Sequence, residues 1–270
     1  PTFNAWVFRR NMKPLYVLLE WLDNYRLDSH SKPLENPTRV TEFQTLNEAV
    51  LRSMERSEAL YEQQKLFIGN ASHEMQTPLA ICRNRLEMLM EDETLTEKQL
   101  EELAKTHQTL ENLTRMNKSL LMLCKIENHQ FVDVRSVCLN ELMAHYLDTY
   151  QEVYGYKRIR VQMDEQGSFR TDISESLAIV LVTNLLKNAF VHSVEDGEIR
   201  ILFTESAFSI SNEGEGALDA NRIFERFYQG AKKEGSTGLG LALVKSICRV
   251  SQLEISYAFE EGRHIFSVKK

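Results

Sequence analysis

The sequence lacks several features that would place a protein in a common class at once. It has only four cysteines in 270 residues, and no two of them form a CxxC pair. Such wide spacing argues against a zinc site and against a disulfide framework, and it fits a reducing compartment. The net charge is −7, and no cluster of basic residues is present, so binding to nucleic acid is disfavoured. The cysteines are Cys82, Cys124, Cys138 and Cys248.

Long apolar runs are also missing. The longest, LAIVLV at 177–182, is too short to cross a bilayer, and no signal peptide is recognisable. No glycine-rich GxGxxG turn follows a strand-like segment, so a Rossmann domain is not supported. The chain begins at Pro1 rather than at methionine. We therefore expect a soluble part of a longer protein, with any membrane span upstream.

The N-terminal part of the chain shows helical patterns. The 43% apolar content is enough for one large or two ordinary domains with their own cores. Residues 12–27 predict a short amphipathic helix with Pro14 near its start, where the missing N–H is harmless. Residues 28–40 are polar, contain two prolines and predict a connector. A second helical pattern begins at Thr41.

The stretch FIGNASHEMQTPLA, residues 67–80, continues this second helix. His73 lies off its apolar stripe and should point to solvent, and Thr77 shares its face because residues four apart stack along a helix. Pro78 has no N–H, and its ring collides with the carbonyl of Glu74, so we expect strain or a bend at this turn. The stripe itself consists of residues spaced by three or four: Phe67, Ile68, Ala71, Met75, Leu79 and Cys82.

The next feature is a helical hairpin. The second helix should run to about Met90, and residues 91–95 break its pattern. Thr96 and Gln99 form a capping box for a third helix, which keeps its rhythm to about Glu127. A lone hairpin would leave wide apolar stripes in water, so we expect two copies to pair into a four-helix bundle.

After residue 131 the pattern changes to mixed α and β. Alternating residues predict strands in VDVRSVCL, RIRVQM, GEIRILFT and AFSISN. A final β-hairpin, ISYAFE and HIFSVK, should turn at Glu261 and Gly262. Helices are predicted at 139–153, 174–192 and 240–251. The fold class is thus a helical hairpin followed by an α/β domain with a mixed sheet.

Three separated pieces of this second domain carry chemistry. Asn184 and Asn188 lie four apart on an otherwise apolar helix, so both amides share one face. Buried amides need partners, and a hydrated Mg²⁺ with phosphate oxygens would supply them. The other two pieces are glycine-rich and let backbone N–H groups approach an anion, the last at a helix N-terminus. They are SNEGEG, with Asn212, Gly214 and Gly216, and GSTGLGLAL, with Gly235, Gly238 and Gly240.

These motifs together resemble those of the sensor histidine kinases of two-component systems. SHEMQTPL, residues 72–79, resembles the phosphoacceptor box SHELRTPL. The asparagine and glycine pieces resemble the N, G1 and G2 boxes of the ATPase fold that these kinases share with DNA gyrase and MutL. IFERFYQG, residues 223–230, resembles the F box, which would anchor a mobile lid over the nucleotide. Residues 1–60 resemble the HAMP signal-relay linker, with an ordinary helical linker as the alternative.

The resemblance implies a domain order and a reaction. The linker would occupy residues 1–60, the dimerisation and phosphotransfer hairpin 61–130, and the ATP-binding domain 131–270. The γ-phosphoryl of ATP would move to His73 and then to an aspartate of a response regulator. The kinase would be a homodimer, attached to the cytoplasmic side of a bacterial inner membrane by an upstream segment, with no nucleic-acid partner.

The resemblance also implies individual roles. Glu74 would hydrogen-bond the other ring nitrogen of His73 and accept its proton, and Thr77 would serve a phosphatase reaction on the regulator. Asn188, assisted by Asn184, would hold Mg²⁺. Asn212 would read the adenine amino group. The glycines of the third piece would hold the phosphates.

Three departures from the family pattern bear on these roles. Gln76 replaces a basic residue, and Asn212 replaces an aspartate, which keeps the acceptor oxygen but loses the charge. Val191 stands where the family has a cation for the β or γ phosphate. A degenerate kinase or an ATP-gated scaffold without phosphotransfer is the alternative function. Four residues could supply the missing cation or be ordinary surface charges: Lys187, Arg226, Lys232 and Lys233.

Overall fold

The computed structural model describes residues 2–25, 33–128, 130–131, 133–230 and 237–270. Of the helical residues, the side chains of 2–11, 65, 68, 72 and 73 lie outside the description. The predicted solvent orientation of His73 therefore concerns a side chain that is not described, and Lys232, Lys233 and Gly235 lie outside the described residues. The chain divides into two compact units, Pro1–Asn70 and Ala71–Lys270.

The first unit contains helix α1, Thr2–Asn24, and the first part of helix α2, Thr41–Met90. The predicted bounds 12–27 were wrong, because α1 starts at Thr2 and carries Pro14 in its interior. A single proline removes one hydrogen bond and bends a helix more readily than it ends one. The connector is bonded to both helices, since the Asn36 side chain donates to the Pro14 carbonyl (2.7 Å) and to Asn47 Oδ1 (3.1 Å).

The second unit begins with the predicted helical hairpin. Helix α2 continues through Pro78 to Met90, and helix α3 spans Glu97–Glu127. The predicted capping box is present, because Thr96 and Gln99 each bond the backbone N–H of the other. Leu123 and Ile126, near the end of α3, are 1% exposed and belong to the main hydrophobic core. The hairpin is thereby joined to the domain that follows it.

That domain is α/β with a mixed sheet, as predicted. A five-stranded sheet has the order β2-β4-β5-β7-β6, with β2 parallel to β4 and the other pairs antiparallel. A separate antiparallel pair consists of β1 and β3. The strands are β1 Val134–Cys138, β2 Arg160–Glu165, β3 Arg170–Ser174, β4 Glu198–Phe203, β5 Ala207–Glu213, β6 Glu254–Glu260 and β7 Arg263–Lys269. The helices are α4 Leu139–Val153, α5 Glu175–His192 and α6 Gly240–Val250.

Burial alternates along β7 and along β5 as far as Ile210, after which Ser211 is buried as well. In β5 the residues Phe208, Ile210 and Asn212 are buried, and they pair with Val268, Phe266 and His264 of β7. Helices α5 and α6 contact β5 and β6 respectively, and their apolar residues join the same core. Asn212 and His264 are thus polar members of a buried row. Among the described residues, no helix is both long and apolar enough to span a membrane.

A buried ion network holds three strands together near this row. Arg263 of β7 is 11% exposed at its side chain, and its Nη1 lies 3.2 Å from both Glu198 Oε2 and Glu213 Oε1. Its Nη2 donates to the Glu198 carbonyl at 3.1 Å. Glu198 is 10% exposed at its side chain and also pairs with Arg200 at 2.6 Å. The network joins β4, β5 and β7 at one end of the sheet.

We expect Arg263→Met to lower the free energy of unfolding by about 3 kcal/mol, because it leaves carboxylates without their buried partner. Arg170→Met is the matched control. The Arg170 guanidinium lies 3.6 Å from Glu141, and both side chains are exposed, so its loss should cost no more than about 1 kcal/mol. Urea unfolding of the two variants measures the difference. Equal losses would show that the Arg263 network does not stabilise the domain.

Candidate nucleotide and phosphoacceptor sites

The N segment, residues 181–193, and the G2 segment, residues 235–243, contact each other at Asn184 and Gly240. Asn184 and Asn188 of α5 are both half-buried, and Asn184 Nδ2 donates to the Val180 carbonyl at 2.7 Å. A Cβ on Gly240 would lie 2.9 Å from Asn184 Oδ1, closer than real Cβ contacts allow. Glycine at the first residue of α6 therefore lets the N-terminus of this helix approach the amide side chain of Asn184.

The G1 segment, residues 211–216, contains a buried hydrogen-bond acceptor, the side-chain oxygen of Asn212. Asn212 is 1% exposed, and its Nδ2 donates to the Glu213 carbonyl at 3.1 Å. Its Oδ1 is buried and has no hydrogen-bond partner among the described residues. An unsatisfied buried acceptor costs on the order of 1 to 3 kcal/mol, so this atom fits a donor brought by a ligand. The exocyclic amino group of adenine is such a donor, and the residues present therefore fit ATP.

His264, which no sequence motif indicates, lies next to Asn212 in the structure. It lies opposite Asn212 in the β5–β7 register and is 7% exposed. Burial lowers the pKa of its imidazole. A Cβ on Gly214 would lie 2.6 Å from its Cδ2 and Nε2, so only glycine leaves room for the ring. The alternation of HIFSVK indicated a strand, but no pattern in the sequence shows which strand would be the neighbour of β7.

The F segment packs against the G2 segment. Gly238 has a φ of +67°, which favours glycine, and a Cβ there would lie 2.7 Å from the carbonyl carbon of Phe227. The Phe227 N–H donates to the Gly238 carbonyl at 2.9 Å. Ile223 is 3% exposed, and the Phe224 ring meets Phe266 edge to face. The F segment is thus fixed to the sheet and to the turn that precedes α6.

The loop between the G1 and F segments is also held in place. Gly216, with a φ of +73°, allows the turn after β5. The Leu218 N–H donates to the Tyr257 hydroxyl at 3.0 Å. The Leu218 side chain packs against Gly230, where a Cβ would clash with it. Strand β6 and the F segment therefore each contact Leu218 in this loop.

Two of the four residues considered as the missing phosphate-binding cation, Lys187 and Arg226, belong to the described part of the chain. Lys187 of α5 is half-buried, and burial, followed by the nearby charge of Arg115, lowers the pKa of its ammonium. Arg226 forms an ion pair with Glu127 at the end of α3.

Lys157 also lies close to the end of α5. Its Nζ donates to the carbonyls of Phe190 (2.9 Å), Val191 (2.9 Å) and Ser193 (3.1 Å). It caps the C-terminus of α5 next to the position where the family has a basic residue.

The phosphoacceptor segment lies in α2, where Ala71–Met90 belong to the second unit. Glu74 and Thr77 are both exposed. On the same hairpin, His107 is half-buried, and its Nε2 lies 3.3 Å from Glu87 Oε1. Large apolar side chains of the hairpin are exposed in the single chain: Met75, Ile81, Met88, Leu89, Leu100 and Leu113.

Comparison with known proteins agrees with this geometry. Residues 174–269 match the family described as "Histidine kinase-, DNA gyrase B-, and HSP90-like ATPase". Residues 63–129 match the "His Kinase A (phospho-acceptor) domain". Together the two families account for more than half of the chain, and they follow one another in the order of hairpin and α/β domain.

Individual relatives are sensor proteins. The phosphate regulon sensor protein PhoR of Pseudomonas aeruginosa is 28% identical over 85% of this chain and 57% of its own length. The sensor protein CiaH of Streptococcus pneumoniae is 31% identical over 69% of this chain and 44% of its own length. The chain thus spans about half the length of these curated relatives.

Two solved structures share the fold. Full-length ShkA in complex with AMPPNP has a TM-score of 0.60 at 21% identity, covering 74% of this chain and 44% of that chain. The Acinetobacter baumannii histidine kinase AdeS has a TM-score of 0.52 at 22% identity, covering 73% of this chain and 96% of that chain.

A phosphoacceptor hairpin followed by an ATPase-type α/β domain defines the histidine-kinase class. The chain belongs to the sensor histidine kinase family. The predicted family and fold class are confirmed.

Proposed function

We propose that this chain is the catalytic region of a dimeric sensor histidine kinase. It binds Mg·ATP between α5, β5 and the start of α6, and it transfers the γ-phosphoryl group to a ring nitrogen of His73. The phosphoryl group then passes to an aspartate of a separate response regulator. The supporting observation is the unpartnered, buried Oδ1 of Asn212 in the domain where Asn184 meets Gly240.

Positioning and charge neutralisation supply most of the catalysis in phosphoryl transfer. In this proposal Asn188 holds Mg²⁺ with help from Asn184, and the metal neutralises phosphate charge. The backbone at Gly238 and Gly240 binds the phosphates at the N-terminus of α6. Glu74 accepts the proton from His73, since it is the adjacent carboxylate on an exposed face of α2.

The exposed apolar side chains of the hairpin support a homodimer. The six large residues from Met75 to Leu113 are 39% to 73% exposed in the single chain. Burying one such side chain contributes roughly 1.5 to 3 kcal/mol. We propose that a second copy covers them in a four-helix bundle. Residues 1–60 then relay a signal as a HAMP-like linker from an upstream membrane span, on the cytoplasmic side.

The test is incubation of the full chain with γ-labelled ATP and Mg²⁺. Phosphohistidine is acid-labile and base-stable, and label with this stability is expected. If the chain binds ATP without incorporating label, it is an ATP-gated scaffold instead. Val191, which replaces the family's basic residue, is the feature that would favour that second function.

Thr77→Ala is expected to separate two activities. The Thr77 side chain is exposed one turn from His73, so its hydroxyl can orient a water for attack on the regulator's aspartyl phosphate. Autophosphorylation uses other residues and should stay within a few-fold of wild type, whereas decay of phosphorylated regulator should slow at least about tenfold. Thr77→Ser keeps the hydroxyl and should retain the fast decay. Equal decay rates for wild type and Thr77→Ala would rule out the role.

A further inference from the structure

His264 lies in the same buried row as Asn212, but the proposed reaction gives it no role. The two residues are cross-strand partners on β7 and β5, so their side chains project from the same face of the sheet. The Phe259 ring packs on the imidazole with centroids 4.9 Å apart. A buried, polar ring next to an unpartnered amide oxygen calls for a physical explanation.

The hydrogen bonds around this imidazole favour one tautomer. The Tyr257 hydroxyl accepts the Leu218 N–H at 3.0 Å and lies 2.9 Å from His264 Nδ1. The arrangement that also uses the hydroxyl hydrogen has Tyr257 donating to Nδ1. The proton of the neutral ring then resides on Nε2. Burial lowers the pKa of His264 and so favours this neutral ring.

The Nε2 edge of the ring lies beside Gly214. The Cβ position that Gly214 leaves empty is 2.6 Å from Nε2 and 3.8 Å from Asn212 Nδ2. Both side chains therefore border the same glycine of the G1 segment. Within the described part of the chain, neither Nε2 nor Asn212 Oδ1 has a hydrogen-bond partner.

The amide orientation of Asn212 is set as well. Its Nδ2 donates to the Glu213 carbonyl at 3.1 Å, and a flipped amide would place two oxygens against each other. Asn212 thus presents an acceptor, Oδ1, and His264 presents a donor, Nε2–H. This pair is the complement of one edge of adenine, which carries the N6 amino donor next to the N1 acceptor.

We propose that His264 and Asn212 together read the base of the nucleotide: Asn212 Oδ1 accepts from N6, and His264 Nε2–H donates to N1. The inference rests on the proposed ATP binding. The proposal also explains why an uncharged asparagine can replace the family's aspartate. The hydrogen bond from His264 to N1 adds to the binding of adenine by Asn212. Guanine would place its O6 acceptor against Oδ1 and its N1–H donor against Nε2–H, so the same pair rejects it.

The experiment measures dissociation constants of the full chain for ADP, 1-deaza-ADP and 7-deaza-ADP. Without N1, the Nε2–H that the bound base covers has no acceptor, so 1-deaza-ADP should bind wild type about tenfold or more weakly than ADP. The matched control, 7-deaza-ADP, keeps both N1 and N6 and should bind like ADP. His264→Phe preserves a flat ring without a donor, so it should weaken ADP about tenfold and bind 1-deaza-ADP and ADP equally.

Tyr257→Phe provides a second route if His264→Phe does not fold. It removes the hydroxyl that favours this tautomer and keeps the aromatic ring, so the preference for ADP over 1-deaza-ADP should shrink. Equal binding of ADP and 1-deaza-ADP to wild type would overturn the inference and leave ATP binding intact. Failure of wild type to bind ADP at all would overturn the proposed function and this inference together.

Discussion

His73→Ala should incorporate no acid-labile label from γ-labelled ATP and should bind ADP as tightly as the wild type. The expected loss is complete because the variant removes the accepting nitrogen. Binding should be unchanged because the residues proposed to hold the nucleotide lie on α5, β5 and the segment leading into α6. Phosphorylation would be measured under alkaline conditions, together with ADP affinity and the oligomeric state.

His107→Ala is the matched control for this variant. His107 lies on the same hairpin, on α3, and its side chain is half-buried against Glu87. Its removal should leave most of the label in place. Full label in His73→Ala, or loss of label only in His107→Ala, would show that the phosphoacceptor has been assigned to the wrong residue.

Asn188→Ala is the second variant with a large expected effect. Its side chain is half-buried, one turn from Asn184, and in the proposal its amide oxygen holds Mg²⁺. A metal ion in phosphoryl transfer stabilises charge by several kcal/mol, so labelling should fall at least about a hundredfold. The measurement is the rate of labelling as a function of Mg²⁺ concentration, with His73 intact.

Asn221→Ala serves as the control for Asn188. Asn221 lies in the same domain, next to the F segment, and is exposed, so its removal should change the labelling rate by less than about twofold. Thermal unfolding of both variants would check that the domain remains folded. Near-normal labelling by Asn188→Ala would mean that Mg²⁺ is held elsewhere.

Local signals in the sequence predicted much of the fold. The Thr96 and Gln99 box defined the start of α3 because its bonds join residues three apart. The helices of the α/β domain were predicted from periodicity and end within one residue of the predicted bounds. Such elements depend on residues that are close in the sequence, so the sequence alone is enough to predict them.

Features that depend on distant partners were missed. Strand β3 is short, carries the exposed residues Arg170 and Asp172, and exists through its pairing with β1. The predicted start of α1 was wrong because Pro14 lies inside the helix, and one proline does not by itself end a helix. The first error thus concerns a partner distant in the sequence, and the second concerns the weak effect of one proline on a helix.

The candidate site shows the same contrast between local sequence signals and contacts with distant residues. The asparagine and glycine segments were recognisable because each is a contiguous motif. His264 was not, because its place beside Asn212 depends on the β5–β7 register. His264 lies in no motif, and only the tertiary fold brings it next to Asn212.

The central claim is that phosphate moves from ATP to His73. Its most direct test is to phosphorylate the wild-type chain with Mg·ATP, digest it at alkaline pH and locate the phosphoryl group by mass spectrometry. The account predicts one dominant site, on the peptide that contains His73. A phosphoryl group found instead on His107, His145 or His192, or on a serine or threonine, would contradict it.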